Sequence, residues 1–245
     1  MAASSRLIAM LRSARAVAVL TGAGVSAESG VPTFRGENGL WRKFRPEELA
    51  NFEAFIRNPQ LVWEWYKERK RVIQRIQPNP GHIALAELEK LFPDFSITTQ
   101  NIDNLHRRAG SKKVFELHGN IERNYCVQCR ADVSNEKVLQ TDDVPRCEKC
   151  GGLIRPDVVW FGELLPSDEW ESAETAARHA DVYFSIGTSA IVYPAASLPL
   201  IAKRAGAFLV EINPEETALT PGADEFIEGN SGAVLPQIVE ALKTK

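Results

Sequence analysis

The chain contains no run approaching the roughly 18 consecutive apolar residues that a membrane span requires. It has no long basic block either, and a formal net charge of −3 removes the electrostatic footprint of a nucleic-acid binder. Its apolar amino end is interrupted by Arg6, Arg12 and Arg15, so the stretch from Ser4 to Ser13 reads as a short capped helix rather than a signal h-region. Internal repeats and low-complexity segments are absent, and cysteine and histidine are scarce at four residues each. These absences lead to the expectation of a soluble, cytoplasmic protein without nucleic-acid or membrane partners. Its 245 residues suffice for one large domain, or for one carrying a smaller insertion.

What is present alternates. Strand-like runs at Ala16–Thr21, Phe95–Thr99, Val114–Leu117, Val182–Ile186, Phe208–Ile212 and Phe226–Glu228 are interleaved with helical patterns near 47–56, 60–76, 81–91, 102–109, 168–179, 194–205 and 232–243. Such alternation implies an α/β fold, a Rossmann-like parallel sheet with helices on both faces. Ligands of open parallel sheets collect at the carboxyl ends of the strands. Gly22, Gln100, His118, Gly187 and Asn213 all follow predicted strands.

The stretch from Leu20 to Arg35, LTGAGVSAESGVPTFR, leaves the first strand through glycines. Gly22, Gly24 and Ala27 satisfy the spacing of a turn whose bare N–H groups and helix start can hold a pyrophosphate. The acidic residue usual about 20 residues later is missing. Pro32 to Gly36 then offers a ring and a guanidinium, Phe34 and Arg35, on a hinged loop resembling a lid.

All four cysteines fall in two C-x-x-C pairs, Cys126/Cys129 and Cys147/Cys150, separated by 17 residues. That is ribbon spacing, and four thiolates close a tetrahedral zinc site with no open position, so one structural ion is expected. The resulting zinc module, 122–155, interrupts a nucleotide-binding domain formed by 1–121 and 156–245. The other reading of the pairs, disulfides or redox couples, requires a secreted or redox context that nothing else in the chain suggests.

Taken together, GAGVSAESGVPTFRG, Gln100-Asn101-Ile102-Asp103, Leu117-His118-Gly119, the cysteine pairs, Gly187-Thr188-Ser189 and Asn213-Pro214-Glu215 resemble the sirtuins, NAD-dependent protein-lysine deacylases, in order and over nearly the whole chain. The resemblance implies NAD as consumed co-substrate, held by Gly22, Ala23, Gly24, Ser26, Ala27, Thr33, Phe34, Arg35, Trp41, Gln100, Asn101, Ile102 and Asp103. It adds Gly187, Thr188, Ser189, Asn213, Pro214, Glu215 and Ala233 on the adenosine side, Asn213 reading the ribose in place of the missing acid. Asp103 is implied to bond the nicotinamide amide, Asn101 to assist at the reacting ribose, and His118 to act as general base. A neutral imidazole suits that task, since its unperturbed pKa lies just below 7. By the same resemblance nicotinamide is expelled, the acyl oxygen attacks the ribose, and the products are deacylated lysine and O-acyl-ADP-ribose.

The acylated lysine of a protein or peptide needs an apolar channel. Val159 and Phe161, within VVWFGE, and Val192 supply it, with the peptide added between them as a strand. Selectivity for the acyl group rests on the helix 60–76. Apolar residues at 62, 65, 66, 72, 73 and 76 define a face with Arg69 in its middle, and Tyr66 lies one turn away. Tyr-x-x-Arg resembles the motif of class III sirtuins, which remove succinyl and malonyl groups; an arginine meets a terminal carboxylate with a charge-assisted bond. Two rival classes remain open. A zinc-ribbon nucleic-acid binder would show strongly salt-dependent affinity, and an NAD-dependent ADP-ribosyltransferase would share the cofactor pocket but give different products.

Overall fold

The computed structural model describes residues 3–32 and 49–244. Thr33, Phe34, Arg35 and Trp41 lie outside the described residues.

Six parallel strands, β1 (Ala16–Thr21), β2 (Asp94–Thr99), β3 (Val114–Glu116), β6 (Val182–Ile186), β7 (Phe208–Asn213) and β8 (Glu225–Glu228), form one sheet in the order β3-β2-β1-β6-β7-β8. Alternation along β1 sorts its residues between two cores. Val17 and Val19 join a cluster with Ile97, Phe184 and Val210, closed by Leu7 and Leu11 of α1 (Ser5–Ser13), Leu85 of α5 (Pro80–Leu88) and Leu235 of α10 (Ser231–Lys243). Ala18 and Leu20 face the other way, with Tyr183 and Leu209, under α8 (Ser167–His179) and α9 (Leu198–Ala205). Burial on both faces is what a parallel sheet requires, and each fully buried Val, Leu or Phe contributes roughly 1.5–3 kcal/mol.

Strand order reverses between β1 and β6, the switch point where such sheets leave a crevice. Register makes that crevice level: Thr21 pairs with Thr99 on one side and with Ile186 on the other, and Ile186 pairs with Ile212. Gly22, Gln100, Gly187 and Asn213 therefore emerge at one edge.

A second sheet, antiparallel, joins β4 (Gly119–Cys126) to β5 (Ile154–Val158). Neither strand is expected from the sequence, because β4 is largely polar and β5 contains Pro156. Helices α3 (Phe52–Arg57) and α4 (Pro59–Arg75) pack with this sheet, Phe55, Val62, Trp63 and Ile73 sharing a cluster with Ile121, Cys126, Ile154 and Trp160. The short helix Ala23–Ala27 (α2) is the helix start expected at the glycine turn, whereas that at Asn135–Gln140 (α7) is unanticipated.

Two expectations are corrected. The helix expected near 102–109 is α6, Leu105–Arg108 only: Asn104 is left-handed (φ 63), and Asp103 Oδ1 caps the Leu105 N–H at 3.0 Å. In α4 the buried face is Val62, Trp63, Tyr66, Lys67, Lys70 and Ile73, while Val72 is 38% exposed. Two lysines can occupy that face because their stems are apolar and their ammonium groups find acceptors. Lys67 Nζ donates to Asp143 O at 2.9 Å and to Thr141 O. Lys70 Nζ donates to Ile121 O and, at 2.9 Å, to Asn135 Oδ1, and burial pushes Lys70 down to about 7. Arg69 consequently sits on the flank of the face rather than in its middle.

Candidate active site

At the switch point two loops meet through bare backbone. Gly22 N donates to Ile186 O at 3.1 Å and Gly24 N to Gly187 O at 2.8 Å. A Cβ on Gly24 would stand 2.8 Å from the Cα and O of Gly187, and Gly187 itself has φ 59. No side chain fits between the loops, so the start of α2 and its neighbours present main chain to whatever lies above.

Buried hydroxyls and rings form the layer beneath. The Thr21 hydroxyl donates to Thr99 Oγ1 at 2.8 Å, and Thr99 Oγ1 also accepts the Asn101 N–H at 3.0 Å. Thr21 Oγ1 also hydrogen-bonds His106 Nε2 at 2.9 Å. His82 lies with its ring 4.9 Å from that of His106. Burial pushes His82 down to about 4 and His106 well below the usual imidazole value, so both are neutral. Above them the Asn101 amide donates to Gly22 O at 2.9 Å and to Ser26 Oγ at 3.2 Å. Asp103 is almost fully buried, and desolvation raises its carboxyl above the usual value.

His118 sits where the chain passes from β3 into β4. A Cβ on Gly119 would stand 2.2 Å from Asp157 O, so only glycine can follow it. A carbonyl can only accept, so the 2.9 Å contact with Gln100 O places the proton on Nδ1 and leaves the Nε2 lone pair for chemistry. Burial lowers the His118 pKa, the Gln100 bond opposing it.

One cavity of about 860 Å³ runs from Gly22, Ala23 and Gly24 past Gln100, Asn101, Ile102 and His118 to Gly187, Thr188, Ser189 and Asn213. On its other side it is lined by Tyr66, Arg69, Val159, Phe161 and Val192. Arg69 lies with its guanidinium 4.5 Å from the Trp65 ring centroid; burial lowers it to about 10, which leaves it cationic at neutral pH. The Tyr66 oxygen accepts from Trp160 Nε1 at 2.8 Å.

The four cysteine sulfurs all lie within 4.8 Å of one another. The nearest pairs run between motifs, Cys126 with Cys150 at 3.5 Å and Cys129 with Cys147 at 3.6 Å, close to the roughly 3.8 Å edge of a tetrahedron with zinc–sulfur bonds near 2.3 Å and far beyond a disulfide's 2.05 Å or so. Backbone N–H groups of Cys129 and Gln128 pull the Cys126 thiol down to about 6, and that of Lys149 lowers Cys147. Gly152 N–H pulls Cys150 the same way, yet the neighbouring sulfurs push it up to about 12. Four thiolates at this spacing need a cation among them, and the cluster fits one structural zinc ion.

The Sir2 family model matches residues 22–194. NAD-dependent protein deacylase 2 of Pyrobaculum aerophilum is 55% identical, covering 96% of this chain and 94% of its own length. The NAD-dependent protein deacylase of Aquifex aeolicus is 52% identical, covering 94% and 96%. The chain belongs to the Sir2 family. Among solved structures, a Sir2 homolog–NAD complex superposes with a TM-score of 0.92 at 47% identity, covering 98% of this sirtuin and 94% of the other chain. A Sir2 complex with deacetylated p53 peptide and 3′-O-acetyl ADP ribose does so at 0.87 and 38%, covering 96% of each.

Among the described residues, the others expected at the site of this sirtuin lie off the cavity wall. Ser26 is buried under Asn101, and Asp103 is buried between the Leu105 amide and the charge of Arg69. Ala27 and Ala233 are exposed, as are Pro214 and Glu215 beyond Asn213. Conversely, Trp65 and Trp170 line the cavity without being expected there, and Trp160 lines it within the segment expected at the channel. Trp65 and Trp170 read as amphipathic-helix core, and Trp160 lies inside VVWFGE as one more apolar position, so periodicity cannot separate a cavity wall from a packed interior.

Proposed function

We propose that this sirtuin removes acidic acyl groups, succinyl and malonyl, from protein lysines alongside acetyl, as a class III type within the family. As a Sir2-family enzyme the chain is an NAD-dependent protein deacylase acting on acylated lysine. The observation that carries the finer reading is that Tyr66 and Arg69 line the same cavity as His118 and the glycine loops. A guanidinium that lines the cavity can make a charge-assisted hydrogen bond, and a terminal carboxylate on the acyl chain is the group that accepts it.

In this reading the glycine loops, Gln100 to Ile102, Thr188, Ser189 and Asn213 hold NAD, which supplies the activated ribose that accepts the acyl group, while Asp103 supports them from behind the wall. Thr33, Phe34, Arg35 and Trp41 are proposed for the same task from the family pattern alone. The carboxamide of Asn101, tied to Gly22 O and Ser26 Oγ, is kept from rotating beside the ribose. His118 Nε2 takes a ribose hydroxyl proton; the lowered pKa keeps the ring neutral at physiological pH, and the Nδ1 bond keeps the receiving nitrogen turned inward. Val159, Phe161 and Val192 flank the lysine stem, and the peptide backbone docks between their segments. The zinc module, 122–155, is proposed as an insertion within a nucleotide-binding domain of 1–121 and 156–245. Four cysteines gathered at metal-binding spacing rather than paired as disulfides support a reducing, cytoplasmic setting. Neither nucleic acid nor membrane is proposed as a partner; among the described residues no helix is long and apolar enough to cross a membrane.

Mass spectrometry of products from NAD with succinyl-, malonyl- and acetyl-lysine versions of one peptide tests this. O-succinyl-ADP-ribose together with nicotinamide and the deacylated peptide is expected. Turnover of the acetyl peptide alone overturns the acidic-acyl reading, and ADP-ribose attached to protein would favour the transferase class instead.

A further inference from the structure

If Arg69 meets the acyl carboxylate, as proposed above, the orientation of its neighbour Tyr66 becomes decisive. The phenol is 1% exposed and lines the cavity. An indole N–H can only donate, so the 2.8 Å contact from Trp160 Nε1 occupies a lone pair of the Tyr66 oxygen and turns the phenolic proton away from Trp160.

The indole is itself held. The Arg155 guanidinium lies 3.7 Å from its ring centroid. Arg155 is buried and forks onto Glu163 with bonds of 2.5 and 2.8 Å, and donates to Val158 O at 2.8 Å. Glu163 closes the circuit by accepting the backbone N–H of Trp160 at 2.8 Å. The Phe55 ring packs against it as well, with centroids 5.2 Å apart. Ion pair, stacking and ring packing leave the indole one orientation, and that orientation aims its N–H at Tyr66.

We propose that Trp160 is a specificity-determining positioning residue: its N–H makes the Tyr66 hydroxyl a donor towards the acyl group, and the Arg155–Glu163 pair locks the indole that does so. A succinyl or malonyl carboxylate gains a neutral donor beside the guanidinium. An acetyl methyl gains nothing, so the device favours acidic acyl groups without touching the ribose chemistry. A plain aromatic wall would serve both substrates alike, and this difference makes the two roles separable.

Trp160→Phe keeps a ring for Arg155 to stack on and removes the N–H together with part of the indole's buried bulk. The KM for a succinyl-lysine peptide should rise about tenfold, the size of one net hydrogen bond, with kcat much less affected and a far smaller change on the acetyl peptide. Calorimetric titration of the succinyl peptide into enzyme without NAD should show the same loss. In a Tyr66→Phe background the substitution should add no further loss of selectivity. Equal losses on both peptides, or an additive loss in the Tyr66→Phe background, overturn the proposal. If Trp160→Phe fails to fold, Arg155→Lys, which cannot make the fork, must shift selectivity the same way. A selective effect of Arg69→Met with none from either variant overturns the positioning role alone. Wild-type enzyme inactive on succinyl-lysine overturns both this role and the acidic-acyl reading.

Discussion

The two sides of the cavity are built from different materials. On the sheet side the surface is main chain: Gly22, Gly24 and Gly187 pack so closely that a methyl group would strike backbone, and the polar layer beneath is tied to that backbone by Asn101, Thr99 and Ser26. On the side of α4 and the loop after β5 the surface is side chain: Tyr66, Arg69, Trp160 and Phe161, oriented by other side chains such as Arg155 and Glu163. A surface made of N–H and C=O groups recognises what every NAD molecule shares and cannot be retuned by substitution without distorting the sheet edge. A surface made of side chains can change its preferred acyl group by exchanging one residue. On the proposed reading, cofactor recognition and acyl selectivity are separable because they are made from separable parts.

His118 stands between the two sides, so its loss should be the largest and the least selective. His118→Ala is expected to cut turnover by roughly two to four orders of magnitude on succinyl and acetyl peptides alike, with melting temperature and zinc content retained; near-normal steady-state turnover would remove it from the chemistry. The pH profile carries the same assignment. The base works neutral and burial places its pKa below 6.5, so kcat should fall on acidification only below that value and stay flat above it on this group's account.

Next comes the frame of the side-chain wall. Cys147→Ser breaks a closed four-thiolate site whose binding energy is folding energy. Zinc should be released and the melting temperature should drop by several degrees, on the scale of about 2–4 °C per kcal/mol for a chain of this size. Full zinc content by metal analysis with unchanged melting would show that the ribbon does not hold the metal.

A smaller effect, confined to one side, tests the separation directly. Arg69→Met should reduce desuccinylation about 10- to 100-fold more than deacetylation, the range of a charge-assisted hydrogen bond, while KM for NAD changes little by comparison. Equal losses in kcat/KM on both peptides would show that Arg69 does not read the acyl carboxylate. The least selective of the remaining effects falls on the main-chain side: Gly24→Ala forces its Cβ against Gly187 at 2.8 Å and should destabilise by about 1–3 kcal/mol. NAD affinity should weaken equally for every acyl substrate. A variant that binds NAD normally by calorimetry would show that the loops can part, and the contrast between the two sides would fail.

Much of this was legible in the chain itself. Runs such as AVAVLT and VYFSI are apolar on both faces, which only a doubly covered parallel strand satisfies, and the glycine spacing and paired cysteines state local requirements that few geometries meet. Strand β4, GNIERNYC, was not legible, because its pairing with β5 depends on a partner about 30 residues away and on a bulge between Asn120 and Asn124. The burial of Lys67 and Lys70 was hidden for a similar reason, since the carbonyls that receive their ammonium groups come from β4 and from the segment after α7.

What the sequence by itself determined is the set of local commitments: where strands give way to glycine, which four residues can hold a metal, and that an arginine and a tyrosine share a turn of one helix. Only the tertiary structure decided that Arg69 faces the cavity from the edge of its helix, that the His118 proton sits on Nδ1, and that an indole from 94 residues away in the chain supplies the N–H received by Tyr66. Periodicity reports which face of an element is apolar. The direction of a hydrogen bond depends on which partner arrives opposite it, and that is settled only when distant segments pack.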